Sequence, residues 1–275
     1  MIKGLGTALI TPFKADKSVD YDALARLLDT QLKGFVDYLV VLGTTGEAAT
    51  MTEEEKRETR TFIRKYVNGR LPLVLGVGGN NTAAVCESLR TTDLTGFEAI
   101  LSVCPYYNKP NQEGLYQHFC EVAKTSTIPI ILYNVPGRTG VNLLPETVMR
   151  IYEAHPDKIA GIKEASGNVE QIKHLIDLAK GKLLVISGDD GIACEIMEAG
   201  GAGLISVASN AFAEDFWDIV HKKDQAKQAK FAQMVQLLFK EGNPVGIKAV
   251  LAQKGIIDNY LRLPFLSYSA CCDWE

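Results

Sequence analysis

A lysine, Lys163, interrupts the short apolar run Ile159-Ala-Gly-Ile-Lys-Glu-Ala165, which otherwise reads as a buried strand followed by a turn-like Ser-Gly-Asn. Taking an ammonium out of water without a partner is costly, so such a group tends to shed its proton, and a neutral amine is a nucleophile. The chemistry that uses it most directly is Schiff-base formation with a carbonyl substrate, the iminium then serving as electron sink for an adjacent carbon-carbon bond. The competing reading is a lysine at a strand end whose amine reaches water or pairs with Glu164.

Other clusters carry chemistry of their own. Gly43-Thr-Thr-Gly-Glu-Ala48 is a glycine-flanked turn in which backbone N–H groups and the hydroxyls of Thr44 and Thr45 could hold a small carboxylate; it could equally be a tight turn feeding a helix. Thr52 and Glu55, just beyond, predict a helix N-cap with a capping box. Gly76-Val-Gly-Gly-Asn-Asn81 has small residues but not the spacing of a dinucleotide fingerprint. Pro105-Tyr-Tyr-Asn-Lys-Pro110 presents two adjacent aromatics in a proline-bounded loop, one of which could carry a phenol into a site or an interface. In Tyr133-Asn-Val-Pro-Gly-Arg-Thr-Gly140, a tyrosine at a strand tip can relay protons and Arg138 offers a fork for a carboxylate; a buried tyrosine and a solvated loop arginine is the plainer alternative. Ser187-Gly-Asp-Asp190 and Ile205-Ser-Val207 put small residues at two further strand ends.

The elements that must position these clusters alternate regularly. Strand patterns fall at residues 4–10, 38–42, 73–77, 99–104, 128–133, 159–163, 183–187 and 203–207, each followed by helical spacing or strong helix formers. Eight largely apolar parallel strands with intervening helices predict a (β/α)8 TIM barrel rather than an open doubly wound sheet, for which the glycine-rich first turn is missing. Helical stretches at 213–222, 224–239 and 245–254 exceed what one closing helix needs and predict a small C-terminal helical appendage. The expected division is a barrel over residues 1–210, carrying the active site, and a helical region over 211–275. Active sites of such barrels lie where strands end; Lys163 and Tyr133 sit at strand ends, and Thr45 and Arg138 follow strand ends.

Composition narrows the function classes. Apolar residues at 47%, charged residues at 23% and a net charge of -4 describe a globular protein and argue against a nucleic-acid or anionic-membrane surface. The amino terminus lacks a signal-peptide pattern and no apolar run approaches a membrane span, which predicts a cytoplasmic location. Cys86, Cys104, Cys120 and Cys194 read as small core hydrophobes, and Cys271 and Cys272 as surface thiols. The histidines, His118, His155, His174 and His221, have no metal-ligand spacing, so no bound metal is expected.

Lysine on the sixth strand, Gly-Thr-Thr-Gly-Glu after the second and Tyr-Asn-Val-Pro after the fifth together resemble the pyruvate-dependent class I aldolases of the N-acetylneuraminate lyase family. The likeness is collinear from Thr7 through Leu261-Arg-Leu-Pro264. The loop Pro105 to Pro110, the stretch Gln112-Glu-Gly-Leu-Tyr-Gln-His118 and Arg138 in Pro-Gly-Arg-Thr-Gly resemble the branch that joins pyruvate to aspartate 4-semialdehyde in lysine and diaminopimelate synthesis. The resemblance implies that Lys163 forms the Schiff base, that Thr44, Thr45 and adjoining backbone hold the pyruvate carboxylate, and that Gly188 and Ile205 line its pocket. It implies a proton relay of Thr45, Tyr133 and Tyr107, with Tyr107 donated by a neighbouring subunit of a homotetramer, and Arg138 as anchor of the second substrate's carboxylate. No external cofactor is implied, since the protein imine is the electron sink. Another pyruvate-dependent aldolase, acting on a sugar-acid or hydroxyproline-derived substrate, is the nearest alternative; a catalytically impaired pyruvate-binding homologue is the other.

Two departures stand out. In members of the family inhibited by lysine the effector meets a serine, histidines and a glutamate near the second and third βα loops. Here the corresponding places hold Ala48, Glu53, Lys56 and Ala84, although Asn80 and Tyr106 remain, so feedback inhibition is expected to be weak or absent. After Pro264 the sequence has no amphipathic pattern, which predicts a shortened final helical region with part of its surface uncovered.

Overall fold

Runs that are apolar on both faces become strands. In the computed structural model, which describes residues 2–268, these are β1 (Gly4–Ala8), β2 (Tyr38–Val41), β3 (Leu73–Gly76), β4 (Ala99–Val103), β5 (Ile130–Asn134), β6 (Ile159–Glu164), β7 (Leu184–Ser187) and β8 (Gly203–Ser206). They form a closed barrel in sequence order, and every recorded pairing is parallel. Between and after them lie α1 (Tyr21–Gln31), α2 (Glu53–Val67), α3 (Thr82–Thr91), α4 (Gln112–Thr125), the single turn α5 (Pro136–Thr139), α6 (Pro145–Ala154), α7 (Val169–Ala179), α8 (Ala193–Glu198), α9 (Ser209–Lys222), α10 (Gln225–Phe239) and α11 (Val245–Gln253). The expected TIM barrel with C-terminal helices is therefore the fold.

Each predicted strand run holds a strand, with small shifts that have local causes. β5 starts two residues later than expected because Pro129 has no N–H to give the ladder; Ser126 Oγ instead donates to the Ile128 carbonyl at 2.6 Å. α9 starts earlier than its amphipathic pattern, but Phe212 breaks the helical backbone, so Ser209–Ala211 is a separate turn. Cys86, Cys104, Cys120 and Cys194 are buried, as expected, whereas Cys271 and Cys272 lie outside the described residues.

By internal packing the chain divides into two compact units. One comprises residues 74–205 with the amino-terminal few. Its core is the layer between β4–β7 and the helices covering them, with Leu115, Phe119, Ile130, Leu132, Ile151, Ile162, Ile172 and Leu175 all fully buried. The other comprises residues 4–73 and 206 onward, so α9, α10 and α11 share a unit with the first strands and helices. Within it Asn210 Nδ2 donates to the Ala8 carbonyl at 2.8 Å and Thr7 Oγ1 meets Ser209 Oγ at 2.8 Å, fastening α9 to β1. The capping box read from Thr52 and Glu55 is present at the start of α2.

Candidate active site

In the unit of residues 74–205, parallel register sets Tyr133 of β5 opposite Lys163 of β6, and Asn134 opposite Glu164. Successive strand residues face opposite ways, so this register sorts the tips of β5 and β6 into two chemically distinct faces. On one, Lys163 Nζ lies 4.4 Å from the centroid of the Tyr133 ring. Lys163 is 6% exposed and has no ion-pair partner among the described residues. On the other, Glu164 accepts from Asn134 Nδ2 at 2.9 Å and from the Ser166 N–H at 2.8 Å, with Gln171 of α7 at 3.3 Å. Burial pushes the Glu164 carboxyl above its ordinary range, against these donors. Glu164 is thus committed behind the strand, and the pairing of Lys163 with Glu164 weighed from the sequence is not found.

Gly188, after β7, owes its identity to Lys163. A Cβ there would sit 2.7 Å from Ala165 Cβ and 2.8 Å from Lys163 Cε, so any other residue would displace the lysine stem. Ile205 is buried at the end of β8. The Asn134 amide oxygen receives the Leu143 N–H at 2.9 Å, and Thr139 Oγ1 donates to the Val141 carbonyl at 2.9 Å, which fixes the α5 turn from behind. Arg138 on that turn is exposed and has no carboxylate partner among the described residues. Tyr107 is 88% exposed with φ 74°, a left-handed backbone that is strained for an aromatic residue and turns it out of its own loop. Asn80 Nδ2 donates to the neighbouring Tyr106 carbonyl at 3.1 Å.

In the other unit, β2 runs into a single 3-10 turn, Thr44–Gly46, that leaves its leading N–H groups without partners inside the turn. Thr44 is exposed; Thr45 is 3% exposed, and its Oγ1 accepts from Asn243 Nδ2 at 2.8 Å. Thr11 Oγ1 donates to the Gly46 carbonyl at 2.7 Å. Glu47 leaves the turn in the left-handed region with φ 53° and is buried against Lys248, its Oε1 2.5 Å from Nζ. Lys248 is fully buried, donates to the Tyr260 carbonyl at 3.0 Å and stands 4.2 Å over the Phe13 ring. The other Glu47 oxygen accepts the Arg262 N–H at 3.1 Å, while the Arg262 guanidinium grips Glu55 and the Thr50 carbonyl. That fork holds the Glu55 carboxyl down at about 2. Lys56 nearby is paired with Glu53 at 2.8 Å.

The register brings Lys163 and Tyr133 together as the motifs suggest; Tyr107 and Arg138 are open to solvent. Sequence reasoning missed Asn243, Lys248 and Arg262, which hold the Thr44–Glu47 turn. Lys248 did leave a signal, being a lysine inside the apolar run Val245-Gly-Ile-Lys-Ala-Val-Leu251. Among the described residues no group of His, Cys, Asp or Glu is arranged to hold a metal ion, and no helix is long and apolar enough to cross a membrane.

Residues 1–271 match the model of the dihydrodipicolinate synthetase family, and the chain belongs to that family. It is 50% identical over 272 residues to the 4-hydroxy-tetrahydrodipicolinate synthase of Parabacteroides distasonis, an alignment covering 96% of this chain and 91% of that protein. The crystal structure of dihydrodipicolinate synthase from Thermotoga maritima superposes with a TM-score of 0.94 at 38% identity, covering 98% of this chain and 94% of that one. The chloride-inhibited dihydrodipicolinate synthase of Acinetobacter baumannii, complexed with pyruvate, does so with a TM-score of 0.94 at 39% identity and the same coverage. The family inferred from the motifs is the family found.

Proposed function

We propose that this chain condenses pyruvate with aspartate 4-semialdehyde to give 4-hydroxy-tetrahydrodipicolinate, through a Schiff base on Lys163. The observation that carries this reading is an almost fully buried amine that no carboxylate among the described residues neutralises, held over a tyrosine ring at the end of a barrel strand. The names of its relatives and the pyruvate complex of the Acinetobacter baumannii enzyme support the choice of substrates.

The chemistry needs an amine, a proton relay and holders for two carboxylates. The Lys163 amine adds to C2 of pyruvate, and loss of water gives the imine. Loss of a C3 proton makes the enamine, whose C3 attacks the aldehyde carbon of the second substrate, and the resulting alkoxide takes up a proton. The amino group of that substrate then adds at the imine carbon and displaces Lys163, closing the ring. Tyr133, Thr45 and Tyr107 pass the protons; Thr44, Thr45 and the turn backbone hold the pyruvate carboxylate, and Gly188 and Ile205 line the pyruvate pocket. Arg138, exposed and without a carboxylate partner among the described residues, takes the second carboxylate. No external cofactor enters. The strained, solvent-facing Tyr107 fits a phenol given to a neighbouring subunit, in a homotetramer acting in the cytoplasm. With Ala84 and a paired Lys56 at the effector positions, free lysine is expected to inhibit weakly or not at all; half-inhibition at sub-millimolar lysine would contradict this.

Incubation with pyruvate and borohydride, followed by peptide mass analysis, tests the reading directly. A carboxyethyl adduct on Lys163 is expected, and its absence would sink it. Arg138→Ala should keep that adduct while its KM for the semialdehyde rises on the order of a hundredfold. Unchanged turnover of that variant would remove Arg138 from the electrophile site.

A further inference from the structure

The turn that presents Thr45 is gripped from the C-terminal segment at two points. Asn243 donates to Thr45 Oγ1 at 2.8 Å, and Lys248, further along the same segment, pairs with Glu47. The segment has little freedom to move. A Cβ on Gly246 would lie 2.5 Å from the Leu238 carbonyl oxygen, so α11 starts hard against α10. Asn243 is itself only 6% exposed.

Building on the role given above to Thr45, we propose that Asn243 is a positioning residue of the active site, whose amide sets the direction in which the Thr45 hydroxyl passes its proton. A threonine hydroxyl has one proton to give and lone pairs to receive with, whereas an amide NH2 can only donate. With Asn243 donating, the Thr45 oxygen is the acceptor in this contact and its own proton stays available. Thr45 Oγ1 makes no other hydrogen bond among the described residues, so that proton is uncommitted. The Asn243 Oδ1 is buried without a hydrogen-bond partner among the described residues, so the bond to Thr45 is the one hydrogen bond that this side chain makes there. A relay works in one sense only if each hydroxyl along it is fixed as giver or receiver. Asn243 fixes this one.

Two substitutions separate this role from simple support of the loop. An aspartate in Asn243→Asp accepts when ionised and would turn the Thr45 proton towards itself; when protonated it can donate again. Its kcat is expected to fall at least about tenfold at pH 8 and to recover relative to the parent as the pH drops towards the carboxyl range. Asn243→Ala should lose about tenfold in kcat at every pH, and no more than about twofold when introduced into a Thr45→Val background, where there is no hydroxyl left to orient. Borohydride trapping of pyruvate on Lys163 is followed in parallel. An adduct in the parent with both Asn243 variants keeping kcat within about twofold would overturn the proposal while leaving the aldolase reading intact. So would an Asn243→Asp loss that stays constant with pH, or an Asn243→Ala loss undiminished in Thr45→Val. No adduct in the parent would overturn the aldolase reading and this proposal with it. Should Asn243→Asp fail to fold by circular dichroism, the alanine cycle decides alone.

Discussion

Each unit of the protein buries a lysine over an aromatic ring, and the two lysines have opposite fates. Lys163 stands 4.4 Å from the Tyr133 centroid and Lys248 4.2 Å from that of Phe13; both are nearly or wholly sealed from water. The ring is common to both, so it does not distinguish a reactive amine from a structural one. The difference is the answering charge. Lys248 has Glu47 at 2.5 Å and a backbone carbonyl at 3.0 Å, which commits it as a cation. Among the described residues Lys163 has neither, and the carboxylate next to it in sequence, Glu164, is engaged by Asn134, Ser166 and Gln171. A buried lysine with its charge answered holds structure, and one left unanswered is available for chemistry.

Replacing each lysine by methionine tests that division. Lys163→Met is expected to lower kcat at least about a thousandfold with no loss of stability, since no partner is left stranded. Lys248→Met should do the reverse, leaving Glu47 as an unpaired buried charge and lowering unfolding free energy by about 3 kcal/mol in urea titrations. A catalytic loss from Lys248→Met as large as that from Lys163→Met would erase the distinction. Next in size is the coupling within the pair. Glu47→Gln keeps an acceptor for the Arg262 N–H but strands Lys248, again at about 3 kcal/mol, and the double variant Glu47→Gln/Lys248→Met should cost clearly less than the sum of the single losses. Additive losses would mean that the pair contributes nothing as a pair.

The two lysines also mark what the sequence makes legible. Strands buried on both faces read as short apolar runs, so the barrel could be counted from residues 4–10 through 203–207, and a charge inside such a run stood out at Lys163. Lys248 interrupts an apolar run in the same way. Its meaning, however, rests on Glu47, which precedes it by most of the chain, and a pair of that kind leaves no local spacing to read. The Asn243 bond to Thr45 spans 198 positions and is hidden for the same reason. Glu55 shows both levels at once: the capping box with Thr52 follows from a three-residue spacing, while its second role as partner of Arg262 exists only after folding. Tyr107 could be flagged as an aromatic in a proline-bounded loop, yet its outward, left-handed setting comes from the loop's closure on Thr139, through its N–H to the Thr139 carbonyl at 3.4 Å.

The smallest expected effect tests the cause of the Glu47→Gln loss. Burial holds the Lys248 ammonium down to about 8 from its ordinary 10.5, with Glu47 pulling the other way. Without Glu47 that opposing pull is gone, so in Glu47→Gln the lysine sheds its proton at a still lower pH when folded, while the unfolded chain keeps it up to the ordinary value. Over that window the unfolded state binds more protons than the folded state, and stability therefore rises with pH. The parent gains from the same linkage only between about 8 and 10.5, which is a narrower range. The stability deficit of Glu47→Gln should accordingly be largest below the window, at mildly acid pH, and shrink as pH approaches 10, where Lys248 is neutral in both folded proteins. Urea titrations of parent and variant at a series of pH values read this difference with the remaining lysines and tyrosines cancelling. A deficit that stays flat across the series would mean that the loss comes from packing around the Thr44–Glu47 turn, and that the answering charge is not what separates Lys248 from Lys163.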